Sequence, residues 1–289
     1  MSVREVEIAV PGGRVRAWLH GHDRPEVPLL VLHGGPGAPH DYLEPLAALA
    51  GERPVIFYDQ LGCGASERPG DRSLWTLDRS VEELAAVRSA LGLEKLHLLG
   101  QSWGALLAAA YLLRRRPEGV ASLILSGPLL SAPRWMADQL RLLADMPEEI
   151  RTTVAAAEYS GNFESPGYQA AMLAYYKRHL CRLVPWPDCL QRTFDGMGTE
   201  VYLTMWGPSE FTATGNLRQV DMTPDLGGID VPTMVTAGRY DEATPETAAF
   251  FQNRIRGSRL VIFENASHSH HLECPSGYFE TIREFLKGA

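Results

Sequence analysis

Gly100-Gln101-Ser102-Trp103-Gly104 sets one serine between two glycines, directly after the apolar run KLHLLGQS and before the helical pattern WGALLAAAYLLRRRP. A tight strand-to-helix turn of this G-x-S-x-G kind exposes a nucleophile at a helix N-terminus, where amides and dipole favour developing negative charge. The flanking glycines let neighbouring backbone pass close by. A serine N-cap beside a glycine turn is the bland alternative, and the strand and helix on either side favour the nucleophile. Such a serine needs a base and an acid, in the chain order Ser, then Asp or Glu, then His. Asp241 follows the apolar run PTMVTAG, and His268, His270 and His271 follow RLVIFENAS. Clustered histidines can hold a metal, but loop and surface positions suit His270 and His271 better than ligation. His33-Gly34-Gly35-Pro36-Gly37 ends another apolar run, PLLVLHGG. Adjacent glycines there let the Gly35 N–H face the nucleophile, and the Trp103 N–H is the second donor of an oxyanion hole. The chemistry is acyl transfer through an acyl-serine, with no metal and no organic cofactor.

The elements that must position these residues alternate. Val6, Ile8 and Val10, then Pro11-Gly12-Gly13, then Val15, Ala17 and Leu19 read as a hairpin. PLLVLHGG, PVIFYDQ, KLHLLGQS and VASLILSGP are short continuous apolar runs with the helical patterns TLDRSVEELAAVRSALGL and WGALLAAAYLLRRRP between them. Continuous apolar strands imply a sheet covered on both faces, and alternation with helices implies parallel strands in an α/β fold. From about Leu129 to Leu226 the alternation stops, and SAPRWMADQLRLLADM, PEEIRTTVAAAEYSG, PGYQAAMLAYYKRHLC and PDCLQRTFDGMG read as helices. The strand-helix rhythm then returns through VPTMVTAGRYD, TPETAAFFQNRI, RLVIFENASH and SGYFETIREFLKG. A helical block therefore interrupts one α/β unit between its sixth and seventh strands. Its aromatics, among them Trp135, Tyr159, Tyr175, Tyr176, Trp186, Tyr202 and Trp206, read mostly as the interior of a lid.

At 289 residues, 45% apolar and 21% charged, the chain suits one large α/β domain with an insertion. A net charge of -8 and the lack of a basic run argue against nucleic acid. No run of about 18 apolar residues suggests a membrane span. Cys63, Cys181, Cys189 and Cys274 match no zinc pattern and no compact disulfide framework, and MSVREVEIAV lacks the long apolar core of a signal peptide. The expected location is cytoplasmic, and no feature speaks to oligomeric state.

HGGPG at 33–37, YDQLGCGAS at 58–66, GQSWG at 100–104, MWGPSEF at 205–211, GRYDEATP at 238–245 and SHSHHLE at 267–273 together carry a resemblance. The chain resembles the proline iminopeptidase family of α/β-hydrolases, whose motifs bacterial amino-acid amidases and the tricorn-interacting aminopeptidase share. One departure is Ala105, where the family often has a second glycine after the elbow. The resemblance implies an α/β-hydrolase fold, and with the two hairpin strands and six further strands counted above it gives an eight-stranded, mostly parallel sheet with a helical cap inserted after strand six. Residues 1–128 and 227–289 would form the catalytic domain and residues 129–226 the cap. It selects His268 as the base, because the family's catalytic histidine precedes a Glu-x-Pro that matches Glu273 and Pro275 at the start of the last helix. It also implies that Glu210 and Glu242 bind the substrate's free α-ammonium, a role that charge-assisted hydrogen bonds make physically sound. The expected enzyme is a serine aminopeptidase or amidase. It would release an N-terminal proline or another, mostly apolar, residue from short peptides or amino-acid amides. An esterase or lactonase with the same triad, or a non-catalytic ligand receptor on this fold, are the alternatives. His268 is expected to titrate near the ordinary imidazole value of about 6.5.

Overall fold

Alternation of apolar and polar residues on either side of Gly12 produces a hairpin at one edge of the sheet. It joins β1 (Val3–Val10) to β2 (Gly13–His20), and Gly12 turns the chain at φ +95°. The computed structural model describes residues 3–289, so the first two residues of the expected catalytic domain lie outside the described residues. Six further strands follow: β3 (Leu29–Leu32), β4 (Val55–Tyr58), β5 (Leu96–Gln101), β6 (Val120–Ser126), β7 (Thr233–Gly238) and β8 (Arg259–Phe263). They form one eight-stranded sheet in the order β1-β2-β4-β3-β5-β6-β7-β8. Pairing is antiparallel as far as β4 and parallel from there on.

The short apolar strands are buried on both faces because alternate residues feed two separate cores. Leu30 and Leu32 of β3 pack with Leu84 and Val87 of α1 (Leu77–Ala90), the inner face of α2 (Trp103–Arg115) and Phe251 of α8 (Pro245–Gln252). Leu29 and Val31 pack the other way, against Leu43 and Leu46 of the 3-10 segment His40–Gly51 and against Ile282 and Phe285 of α10 (Pro275–Lys287). Local signals set the helix starts. The Thr76 hydroxyl accepts from the Arg79 N–H at the head of α1, and Pro275 opens α10 without costing an intrahelical bond. Glu273 does not open the last helix as expected. It ends the short α9 (His270–Glu273), and its carboxylate accepts from the Ser267 N–H and hydroxyl and from the Arg182 N–H.

Between β6 and β7 the chain leaves the sheet for α3 (Ala132–Ala144), α4 (Glu148–Ser160), α5 (Pro166–His179), α6 (Asp188–Asp195) and α7 (Thr199–Met205). Four of these match helical patterns in the sequence; α7 is too short for its period to register. Val154, Ala157, Tyr168, Met172, Tyr175 and Phe211 give this block a small core of its own. Among the described residues no helix is long and apolar enough to cross a membrane.

Candidate active site

The turn from β5 into α2 holds Ser102 at φ 56°, ψ -119°, a left-handed conformation that costs a non-glycine residue about 1–3 kcal/mol. Close packing demands the flanking glycines. A Cβ on Gly104 would lie 2.1 Å from the Leu32 carbonyl oxygen, and one on Gly100 would lie 2.2 Å from that of Gly104. The Ser102 N–H donates to the Ser126 carbonyl at 3.0 Å, which pins the elbow to β6. Trp103 is the first residue of α2, so its N–H has no intrahelical acceptor.

The glycine loop after β3 is fastened by residues that sequence reasoning had not singled out. The Gly34 N–H donates to the Tyr42 hydroxyl at 2.8 Å, and that hydroxyl donates to Gln101 Oε1 at 2.5 Å. Gly35, at φ +106°, lines the same cavity as Ser102. Gln60 joins the two segments that carry the expected oxyanion donors. Its side-chain amide donates to the His33 carbonyl at 3.1 Å and accepts from the Trp103 indole N–H at 2.9 Å. Only a folded chain brings positions 33, 60 and 103 together, so motif spacing carries no sign of this bridge.

His268 and Asp241 meet behind the elbow. His268 Nδ1 lies 2.7 Å from Asp241 Oδ1. That carboxylate also accepts the Ala243 N–H at 2.7 Å and the Gly238 N–H at 3.1 Å, which fixes its orientation. Gly127 makes room for the imidazole, since a Cβ there would lie 2.8 Å from His268 Nδ1. His270 and His271 are not surface residues as expected, because both are fully buried. His270 Nε2 sits 2.9 Å from the Ser126 and Thr236 hydroxyls, and His271 Nε2 donates to the Tyr42 carbonyl at 2.9 Å. Burial pushes their pKa values down to about 4 and about 3, so both rings are neutral structural groups at pH 7.

Glu242, after β7, and Glu210, after α7, both line this cavity. Glu242 is 4% exposed; its Oε1 lies 3.7 Å from His268 Nε2, and its buried Oε2 has no hydrogen-bond partner. Glu210 Oε1 accepts from the hydroxyls of Tyr176, at 3.3 Å, and Tyr202. Burial raises both carboxyls above their ordinary range, Glu242 to about 8. For His268, burial favours the neutral ring, but Asp241, Glu242 and Glu210 outweigh it and raise the imidazole to about 9. The ordinary value of about 6.5 anticipated from the residue type is therefore corrected. Ser102, His268, Glu210 and Glu242 all face one cavity of about 310 Å³. Trp135, Tyr176, Tyr202 and Trp206 line it too, so these four are not only lid interior. Tyr159 is 97% exposed, and Tyr175 lies fully buried behind the wall.

Fold and site together define an α/β-hydrolase, and the family model described as alpha/beta hydrolase fold matches residues 27–275. The chain is 45% identical over 280 residues to the proline iminopeptidase of Heyndrickxia coagulans, covering 96% of this chain and 97% of that one. The crystal structure of proline iminopeptidase from Mycobacterium smegmatis superimposes with a TM-score of 0.90 at 35% identity, covering 99% and 98% of the two chains. The crystal structure of VinJ does so with a TM-score of 0.95, also at 35% identity and with coverage of 99% and 98%. The chain belongs to the proline iminopeptidase family of α/β-hydrolases and is a hydrolytic enzyme.

Proposed function

We propose that this enzyme is a serine aminopeptidase or amidase. It releases an N-terminal residue, proline or another mostly apolar one, from short peptides or amino-acid amides. The observation that carries this reading is Glu242, a buried carboxylate with an unpartnered oxygen beside the base, in the cavity that Glu210 also enters. Buried carboxylates without a cation are costly, and a substrate ammonium removes that cost. The names of the relatives support the same chemistry.

In this reading Ser102 is the nucleophile and His268 takes its proton, while Asp241 orients the imidazole and stabilises its charged form. The oxyanion rests on the N–H groups of Gly35 and Trp103. His268 then protonates the leaving amine, and water completes the turnover. The helices within residues 129–226 act as a cap whose aromatic wall excludes water from the acyl site. Acetylating the substrate amine removes its charge and adds bulk at both carboxylates. We expect kcat/KM for an N-acetylated prolyl arylamide to fall at least about 100-fold below that of the free amine, the worth of a charge-assisted pair of about 3 kcal/mol. Comparable values would overturn the aminopeptidase reading and favour an esterase.

A further inference from the structure

The nitrogen of His268 that must accept the serine proton faces a carboxylate in the resting enzyme. Nδ1 is committed to Asp241 at 2.7 Å, and Nε2 faces Glu242 Oε1 at 3.7 Å, with both side chains almost wholly out of solvent. A proton on Nε2 would thus complete a buried ion pair, and an imidazolium cannot act as a base. The same carboxylate is the one proposed to hold the substrate ammonium.

We infer that the resting site stores one proton between His268 Nε2 and Glu242 Oε1, and that a bound substrate ammonium expels it, freeing the base only when an amine is seated. This inference rests on the amine-binding reading above and adds the proton exchange to it. The charge balances: one ammonium enters, one proton leaves Nε2 for solvent, and the net charge of the buried site is unchanged. The ammonium takes over as the counterion of Glu242, and neutral Nε2 is left to receive the Ser102 proton.

The surroundings support a stored proton. Three carboxyls face the imidazole: Asp241 and Glu242 after β7, and Glu210 beyond α7. Two histidines stand on α9, His270 and His271, and burial holds both neutral, so neither repels a charged His268 at pH 7. The Tyr176 and Tyr202 phenols act one step away through Glu210 and stay protonated. The Trp135 ring packs edge-on to His268 at 5.8 Å and brings no charge. Burial raises Glu242 and the surrounding carboxyls raise His268, so both partners hold protons more tightly than either group does in water. A substrate without a free amine cannot discharge it, so selectivity lies in the chemical step as well as in binding.

Calorimetry tests this directly. The Ser102→Ala protein, which binds without turnover, would be titrated at pH 6.5 with L-prolinamide and with N-acetyl-L-prolinamide. Each titration would be run in two buffers of different ionisation enthalpy. We expect about one proton released per prolinamide bound, with the His268 imidazole nitrogen signals moving from the protonated to the neutral form on saturation. In Ser102→Ala/Glu242→Gln the release should fall by at least about half, because the imidazolium has lost its partner at Nε2. Strong binding of prolinamide without proton release, and with unchanged imidazole signals, would overturn the exchange and leave amine recognition standing. Equal binding of the free and acetylated amides would remove both. If the double variant does not fold, the proton count on Ser102→Ala alone decides.

Discussion

In the proposed mechanism the reactivity of Ser102 and His268 depends on neighbours that a residue type does not reveal. With Asp241, Glu242 and Glu210 around it, His268 holds its proton far longer than an ordinary imidazole. As the proposed base His268 must be neutral, so activity is expected to rise with pH as the proton is lost. For a simple acyl ester, which brings no ammonium, kcat/KM reports the free enzyme. Its rising limb should therefore lie well above pH 6.5, toward about 9, and a limb at the ordinary imidazole value would contradict the charge arrangement. Ser102→Ala should abolish turnover. Asp241→Asn should lower kcat by about 10⁴, since the amide favours the wrong tautomer of His268. Stopped assays on the purified variants, with circular dichroism to establish folding, check both.

Elements hold these residues through backbone approaches that tolerate no side chain. The path from β5 through the elbow into α2 passes so near β3 that a methyl on Gly104 would meet the Leu32 carbonyl, which is backbone and cannot rotate away. Gly104→Ala should cost about 3 kcal/mol in urea unfolding and lower activity by shifting Ser102. Gly51→Ala is the matched control. Nothing lies within 4 Å of its added methyl and its φ is not positive, so its unfolding midpoint should hardly move. Equal stability of the two variants would show that the elbow relaxes more readily than its packing suggests. Ala105, where the family often has glycine, is fully buried in the α2 core and sits one residue beyond the tight approach.

Across the whole molecule, the helical block is bound to the sheet body by polar ties on several sides. Asp138 of α3 accepts from the Thr244 and Thr247 hydroxyls at the head of α8, at 3.0 and 2.5 Å. The Gln139 side chain donates to the Glu242 carbonyl at 3.0 Å, and the His268 and Ser269 N–H groups donate to the His179 and Leu180 carbonyls at the end of α5. Arg192 of α6 pairs with Asp41 and Glu44 of the 3-10 segment. Several of these ties are buried and end next to the site, so the block cannot separate without disturbing His268 and Glu242. We expect one cooperative transition in urea, with loss of activity, near-ultraviolet and far-ultraviolet circular dichroism coinciding. Activity lost at clearly lower denaturant than secondary structure would mean that the block unfolds as a unit of its own.

Local pattern alone determined the order of elements and the composition of the sheet. A short apolar run followed by glycine must end a buried strand, and a serine between glycines at a strand-helix junction has few other uses. Eight strands, an interruption between the sixth and seventh, and the candidate residues Ser102, Asp241, Gly35 and Trp103 were legible for that reason. The choice of His268 and the roles of Glu210 and Glu242 came from resemblance, since nothing in their own spacing separates them from other histidines and glutamates. Tertiary structure decided the rest. Burial made His270 and His271 structural, where loop and surface positions had been expected. Gln60 and Tyr42 entered the site from distant positions, and α7 formed within a stretch too short to show a period. Above all, the proximity of three carboxyls set the proton affinity of His268. Electrostatic energy depends on distance and dielectric, and neither is set until residues more than 50 positions apart in the chain, such as Glu210 and His268, are packed around one cavity.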